Sequence, residues 1–405
     1  MFSSSLQEVN KITSNSNFGG LQLFNIFWKE HDFATRLDKE VDKKSGANYS
    51  DIIKNVTVGH IIGYDSLEDL TDKTFKEELL RGNCQVSRST YSRNMDALEY
   101  NKQNTILAYV VVQIIRRLRR SHKLLQTAIG IFDGSALPLS GKTFERAQWV
   151  HDGREDCLVW GYEVNTLLIH IGNHAFPFQF RVNDFSKEGI ILMFKRMIRM
   201  LGIRRICFDA GYKGMEFFKE LEKLNMKFYT KATINWLFEK HSWTKSTQEW
   251  AEQMKIVFKR NHRYAAKLVE KEGMKFLLVI AKDDPRIFLT NDIKATAKEV
   301  VDMYARRWKI ETSFREEKQN LGFENLTVRK INAVRTHIMT VFIAYIFCQL
   351  CLQKFSKLDG IKLLIRKIFH NAATIIRKGT SIVVKFLEQF CYREKLERLL
   401  QASLL

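Results

Sequence analysis

The spacing of apolar residues changes twice along the chain. Up to about residue 125 they fall at helical intervals, from Leu124 they alternate in short β-branched and aromatic runs, and beyond Lys330 helical spacing returns. Within the middle stretch, Thr127–Asp133, Val159–Ile171 and Phe176–Val182 predict neighbouring strands. Ser186–Leu201 predicts an amphipathic helix with Ile190, Ile191, Phe194, Met197, Ile198 and Leu201 on its apolar side. A strand at Arg204–Asp209 and a helix at Met215–Leu224 follow.

Three strands, a helix and a strand that joins the first in the sheet are the opening of a ribonuclease-H-like core. About sixty residues, roughly Phe228 to Thr290, then interrupt it. Strand-like pieces at Phe228–Ala232, Lys255–Phe258, Phe276–Ile280 and Ile287–Leu289 make this a β-rich insertion. It carries Trp236, Trp243 and Trp250, spaced every seven residues as on a packed helix face. One helix is expected from Thr296 to about Asn320, and an amphipathic segment from Ser381 to Leu400 ends the pattern. The expected fold is α/β: a ribonuclease-H-like mixed sheet with flanking helices, interrupted by a β-rich insertion, plus helical N- and C-terminal regions. The boundaries read as 1–124 for a DNA-binding region, 125–227 for the first part of the core, 228–290 for the insertion, 291–330 for the core helix and 331–405 for the C-terminal region.

Charge adds a partner to this outline. Across 405 residues, 65 Lys and Arg face 45 Asp and Glu, a net charge of +20. Such a chain meets a polyanion: nucleic acid first, with an anionic membrane surface as the rival. No membrane role is expected, because the most apolar stretch, Ile338–Cys351, is shorter than the ~20 residues that cross a bilayer and reads as a buried helix. The polar start Met1-Phe2-Ser3-Ser4-Ser5 has no signal-peptide pattern, and the six cysteines are scattered, so a cytoplasmic, nucleoid-associated location is expected. Cys348 and Cys351 form a CxxC on an aliphatic helix, without the second pair a zinc site needs. Neither an HExxH or HUH-type histidine pair nor a GxxxxGK[ST] loop occurs, which argues against zinc hydrolysis and against an ATP-dependent step.

Near the middle of the first region, Phe75–Leu80, Arg81-Gly82-Asn83 and Ser87–Arg93 fit a helix, a glycine turn and a second helix capped by Ser87. As a helix-turn-helix this would offer Arg88 and Arg93 to phosphates or base edges. An ordinary helical bundle with a polar face fits the same residues. The following helix, Ile106–Lys123, ends in Arg116, Arg117, Arg119, Arg120 and Lys123, cations that any helix C-terminus favours.

The chemistry concentrates in three acids. Ile129-Gly130-Ile131-Phe132-Asp133-Gly134 and Ile206-Cys207-Phe208-Asp209-Ala210-Gly211 each read as a buried strand that delivers an aspartate at its end. Glu311 lies on the later helix. Two strand-end aspartates and a helix-borne glutamate can hold a pair of divalent cations about 3.5–4 Å apart, as nucleases and polymerases do on phosphodiesters. On a continuous helix Tyr304, Arg307, Arg315 and Lys318 share the face of Glu311, so the acid is flanked by cations and a phenol. A solvated salt-bridge stripe has the same pattern; the two aspartates turn it toward a site.

The spacing of Tyr304, Arg307, Glu311 and Lys318, with two, three and six residues between them, resembles the signature of insertion-sequence transposases of family four. Phe132-Asp133-Gly134-Ser135 with Ser140-Gly141-Lys142, and Phe208-Asp209-Ala210-Gly211-Tyr212, look like that family's first and second aspartate motifs. Ile310–Arg315 and Leu321-Gly322 are similar to it as well. The resemblance runs from about Leu124 to Lys330, and more loosely from Gly63 to Glu99. It implies a DDE transposase in which Asp133, Asp209 and Glu311 bind two Mg²⁺, with Mn²⁺ able to substitute. Arg307 and Lys318, with Arg315 beside them, would clamp phosphates, and Tyr304 would hydrogen-bond or stack next to them. The implied partners are double-stranded DNA, both the inverted-repeat ends of the transposon and the target, and a second copy in a homodimeric synaptic complex. In relatives with a β insertion an aromatic holds a flipped base, and the three tryptophans are equal candidates. Two other readings remain: a ribonuclease-H-like nuclease without strand transfer, and a transposase-derived DNA-binding protein that no longer catalyses, against which the intact acids argue.

Overall fold

The computed structural model describes residues 11–41, 45–77, 80, 83–118, 127–153, 155–184, 186–212, 214–240, 243–260, 262–378 and 381–401. The chain divides into two units. One comprises Ile115–Pro138 and Gln148–Phe314; the other comprises Met1–Ile114, Leu139–Ala147 and Arg315–Leu405.

The chain enters the second of these with strand β1 (Lys11–Ser16), followed by helices at Gln22–Glu30, Phe33–Glu40, Tyr49–Ile62, Leu67–Lys76, Arg88–Ala97 and Tyr100–Leu118. The sheet unit then contains β2 (Ile129–Pro138), β3 (Gln148–Asp152), β4 (Cys157–Ile171), β5 (His174–Val182), β6 (Arg205–Phe208), β7 (Lys227–Lys231), β8 (Leu237–Lys240), β9 (Trp243–Ser246), β10 (Tyr264–Lys271), β11 (Met274–Ala281) and β12 (Asp284–Thr290). Among the described residues they form one sheet in the order β3-β4-β2-β6-β7-β12-β11-β10-β8-β9, with β5 also paired to β4. Only β2, β6 and β7 run parallel; every other pairing is antiparallel. Each parallel strand contains a buried run, at Ile129–Phe132, Ile206–Phe208 and Phe228–Thr230, as expected where both faces of a sheet are covered. The amphipathic helix Lys187–Leu201 buries Ile190, Ile191, Phe194, Met197 and Leu201, capped by Ser186, whose hydroxyl accepts from the Gly189 N–H.

Several expectations need correction. The β-rich stretch 228–290 extends the core sheet through the β12–β7 pairing, and it contains strands at 237–240, 243–246 and 264–271 that the sequence pattern missed. Lys255–Phe258 is not a strand: it ends the Thr247–Lys255 helix and enters a 3₁₀ turn, Ile256–Arg260. Trp236, Trp243 and Trp250 do not share a helix face, for Trp243 begins β9 and Trp250 lies on the helix after it. The expected helix from 296 to 320 is broken into Ala297–Ala305 and Trp308–Asn320. At the junction the N–H groups of Arg307, Lys309 and Ile310 bond the carbonyls three residues back, a 3₁₀-type tightening that resets the axis.

In the other unit, Ser381–Leu400 is not one amphipathic helix. Strand β14 (Ser381–Phe386) pairs with β13 (Ala373–Lys378), and β13 pairs with β1, so the C-terminal region is helical only in part. Val383, Val384 and Phe386 satisfy either period until a partner strand is present. The first helix of the proposed helix-turn-helix ends at Lys76, with Glu77 extended, so the helix expected over Phe75–Leu80 is interrupted at Glu77; residues 78 and 79 lie outside the described residues. Arg81, Gly82, Arg119, Arg120 and Lys123 lie outside the described residues. The helix Ile331–Lys354 has the length and hydropathy to cross a membrane, but it is 83% buried over its most apolar window and packs as a core helix.

Candidate active site

Parallel pairing sets the height of the first two acids. The register places Phe132 beside Phe208, so Asp133 and Asp209 are the next residues on adjacent strands. Beneath them Ile129, Ile131 and Cys207 join Tyr229, Val279, Phe288, Val300, Tyr304 and Ile310 in a buried cluster. That cluster holds the strand ends rigid and brings both helices of the broken pair onto the sheet. Glu311 falls in the first turn of Trp308–Asn320, where the helix dipole favours a carboxylate.

The junction between the helices has a chemical consequence. Arg307 sits in it, buried to 8% exposure, and its guanidinium bridges two of the acids. Nη1 donates to Asp133 Oδ2 at 3.0 Å, and Nη2 donates to Glu311 Oε1. Asp209 is held otherwise: the Tyr304 hydroxyl donates to its Oδ1 at 3.3 Å, and the Lys231 ammonium lies 3.5 Å from the same oxygen. The sequence therefore placed Asp133, Asp209, Glu311, Tyr304 and Arg307 together, and the structure brings them together. It places Arg307 on the acids, not directed outward as a phosphate clamp.

Electrostatics separate the two aspartates. Burial pushes the Asp133 carboxyl up to about 6, against the pull of Arg307 and a hydrogen bond from the Gly134 N–H. Burial also acts on Asp209, but there the Ala210 N–H, Lys231 and Arg307 outweigh it and hold the group below the usual carboxylate range. Burial raises the Tyr304 phenol well above its ordinary value, so it stays a hydrogen-bond donor.

The remaining candidates belong to the other unit. Lys318 is in the later part of the same helix and in the other unit, with its ammonium 3.0 Å from Glu324. Arg315 is exposed. Arg88 lies 3.7 Å from Glu68 at the surface, and Arg93 Nε donates to the Ser89 carbonyl on a helix that Ser87 caps as expected.

Sequence reasoning missed Lys231 and a polar cluster over Gly134. Lys231 ends β7, the third parallel strand, and Cys207 pairs with Tyr229, so Lys231 matches Asp209 in height. A strand ending in a charge beside two others that do so was a usable signal. At Gly134 a Cβ would come within 2.6 Å of Glu163 Oε1, 3.0 Å of the Tyr212 hydroxyl and 3.1 Å of Asn165 Oδ1. The Tyr212 hydroxyl donates to Asn165 Oδ1 at 2.6 Å, fastening the turn after Asp209 to β4. Tyr212 lay inside the second aspartate motif; Asn165 and Glu163 carried no local mark.

Among the described residues no three His, Cys, Asp or Glu side chains stand at metal-holding distance. The reason is local: the Arg307 guanidinium stands between Asp133 and Glu311. The donor set still suits a hard divalent cation, since the Asp133 and Glu311 carboxylates meet at one protein cation and a third, Asp209, stands at matching height on the adjacent strand run.

The family described as "Transposase DDE domain" matches residues 125–347, more than half of the chain. Among curated proteins none matches in sequence. Two solved structures were compared, each 12% identical. The Ciona intestinalis endonuclease V, crystallised with a 24mer DNA containing an inosine followed by a ribo-adenosine, has a TM-score of 0.26 over 47% of this chain and 87% of its own. The Drosophila P element transposase strand transfer complex has a TM-score of 0.25 over 82% of this chain and 71% of its own. Neither likeness is close enough to support an argument about this chain.

Proposed function

The chain belongs to the transposase DDE-domain family, and from that premise we propose that it is a ribonuclease-H-like, cut-and-paste transposase of an insertion sequence. It acts on the inverted-repeat ends of its own element and on target DNA, and it works as a homodimer. The single observation that supports this most is the convergence of Asp133 and Glu311 on one guanidinium, with Asp209 at the matching height on the adjacent strand.

Asp133, Asp209 and Glu311 would hold Mg²⁺, with Mn²⁺ able to substitute. Bound there, the metal supplies activation of a water or 3′-hydroxyl nucleophile and charge neutralisation at the leaving oxygen. Tyr304 and Lys231 hold Asp209 in place, and the Ala210 N–H with Lys231 keeps it ionised. The Tyr212–Asn165 hydrogen bond keeps the turn after Asp209 against the sheet. Arg315 and Lys318 supply donors for backbone phosphates, and Arg88 and Arg93 do so on the helix that recognises the ends. Of the three tryptophans in the β-rich stretch, Trp250 is buried with Nε1 donating to the Phe238 carbonyl, and Trp236 packs on Phe218 and Phe238. Trp243 is 64% exposed, with the Lys245 ammonium 5.4 Å from its ring centre. It is the one suited to stack on an extruded base beside a phosphate.

The test is cleavage and joining of a duplex carrying the element's own ends, in Mg²⁺ and in Mn²⁺. Asp133→Ala, Asp209→Ala and Glu311→Ala should each abolish cleavage, while circular dichroism and end binding stay near wild type. A variant that cuts at near the wild-type rate removes that residue from the site. Cleavage without joining would make the protein a nuclease.

A further inference from the structure

Arg307 is the least solvent-exposed cation of the site, and it occupies the oxygens a metal would use. Its two bonds run to different carboxylates, Asp133 within β2 and Glu311 in a helix turn. Its side chain is 9% exposed, against 19% for Asp133 and 36% for Glu311. A guanidinium does not lose its proton in a protein, so this competition with a metal persists at every working pH. A metal that takes Asp133 and Glu311 must therefore displace a permanent cation, which then needs another anion with two oxygens in a plane. A phosphodiester meets that need by bidentate hydrogen bonding. Of the nearby acids, Asp284 is already bonded by Arg286, and Asp209 by Tyr304 and Lys231. The Trp308 ring, 55% exposed, lies 5.7 Å from the guanidinium carbon and marks the side open to solvent.

We propose that Arg307 is an exchangeable counter-ion: it holds Asp133 and Glu311 closed to metal until a DNA phosphate draws it away, so that metal loading and DNA binding are coupled. This rests on the reading of Asp133 and Glu311 as metal ligands. Linkage requires the coupling to be reciprocal, with DNA raising metal affinity by the factor by which metal raises DNA affinity.

Two measurements on the full chain test it. In the first, Mn²⁺ binding is followed without DNA by electron paramagnetic resonance of the free ion. Arg307→Ala should bind Mn²⁺ roughly 5- to 150-fold more tightly than wild type, the usual range of such couplings. Adding Asp133→Ala should cancel the gain. In the second, the affinity of a labelled end duplex is read by fluorescence anisotropy with and without Ca²⁺. Wild type should tighten with Ca²⁺, and Arg307→Ala should not. Arg307→Gln carries the same expectations and serves where the alanine variant fails to fold. If Arg307→Ala and Arg307→Gln bind Mn²⁺ no more tightly than wild type, while Asp133→Ala weakens that binding, the counter-ion proposal is overturned and the metal ligands stand. If Asp133→Ala changes no Mn²⁺ binding in any background, the metal-ligand reading fails with it.

Discussion

Glu163 shows how a single residue responds to the site beside it. Burial, and after it the charge of Asp133, push its carboxyl up to about 7. A folded-state value above the unfolded one means that its contribution to stability is present below pH ~4.5 and is lost as pH rises through about 7. Glu163→Gln removes the ionisation and keeps the shape. It should raise the Tm at pH 8, by roughly 2–4 °C for each kcal/mol regained, and the gain should vanish toward pH 4.5. Thermal melts at the two pH values decide it, and an equal Tm at pH 8 would show that Glu163 ionises there without strain. Asp133 and Asp209 make the same point by contrast. They sit at matching height, Asp133 within β2 and Asp209 just past β6, yet burial dominates one and local donors the other.

Among elements, the broken helix pair decides most about the site. Thr296 begins it with a capping box: its hydroxyl accepts from the Glu299 N–H, and Glu299 accepts from the Thr296 N–H at 2.7 Å. That cap fixes the first turn of Ala297–Ala305, whose last turn carries Tyr304 to Asp209. Thr296→Ala should cost about 1 kcal/mol, the usual value for a lost N-cap. Urea denaturation should report it, and hydrogen exchange should place the lost protection within 297–305. A loss spread evenly over the unit would count against the cap as its source. The tryptophans teach a related lesson. A seven-residue recurrence read as one helix face is divided between a strand and a helix, because a hairpin and a Ser246 cap intervene.

For the molecule as a whole, net charge sets the expectation. With +20 to distribute, binding to an end duplex should fall steeply with salt, as neutralised phosphates release their counterions. A plot of log affinity against log salt between about 50 and 200 mM should be linear with a slope near −0.9 per phosphate contacted. Arg315→Ala and Arg88→Ala should each flatten it by about one unit, as for the loss of a phosphate contact. A slope near zero would mean that binding is not electrostatic and that the basic composition serves another partner.

The sequence alone determined the parts of this protein whose meaning is local. The runs Ile129–Asp133 and Ile206–Asp209 are apolar without alternation, which requires buried strands leading to each aspartate, although β2 continues past Asp133 to Pro138 rather than ending there. The spacing from Tyr304 to Lys318 was equally legible, and the DDE transposase it implied agrees, at that coarser level, with the family that the chain belongs to. Tertiary structure decided what depends on partners distant in sequence. Whether Val383 and Val384 are helix or strand is settled only when Ala373–Lys378 pairs with them. Lys231 enters the site only because β7 joins β6 in parallel. The position of Arg307 was the least legible of all, since the local pattern is continuous helix and the break follows from docking two helices on one sheet. Periodicity tells which face a residue can occupy, whereas the charge it meets there is set by chain folded from elsewhere.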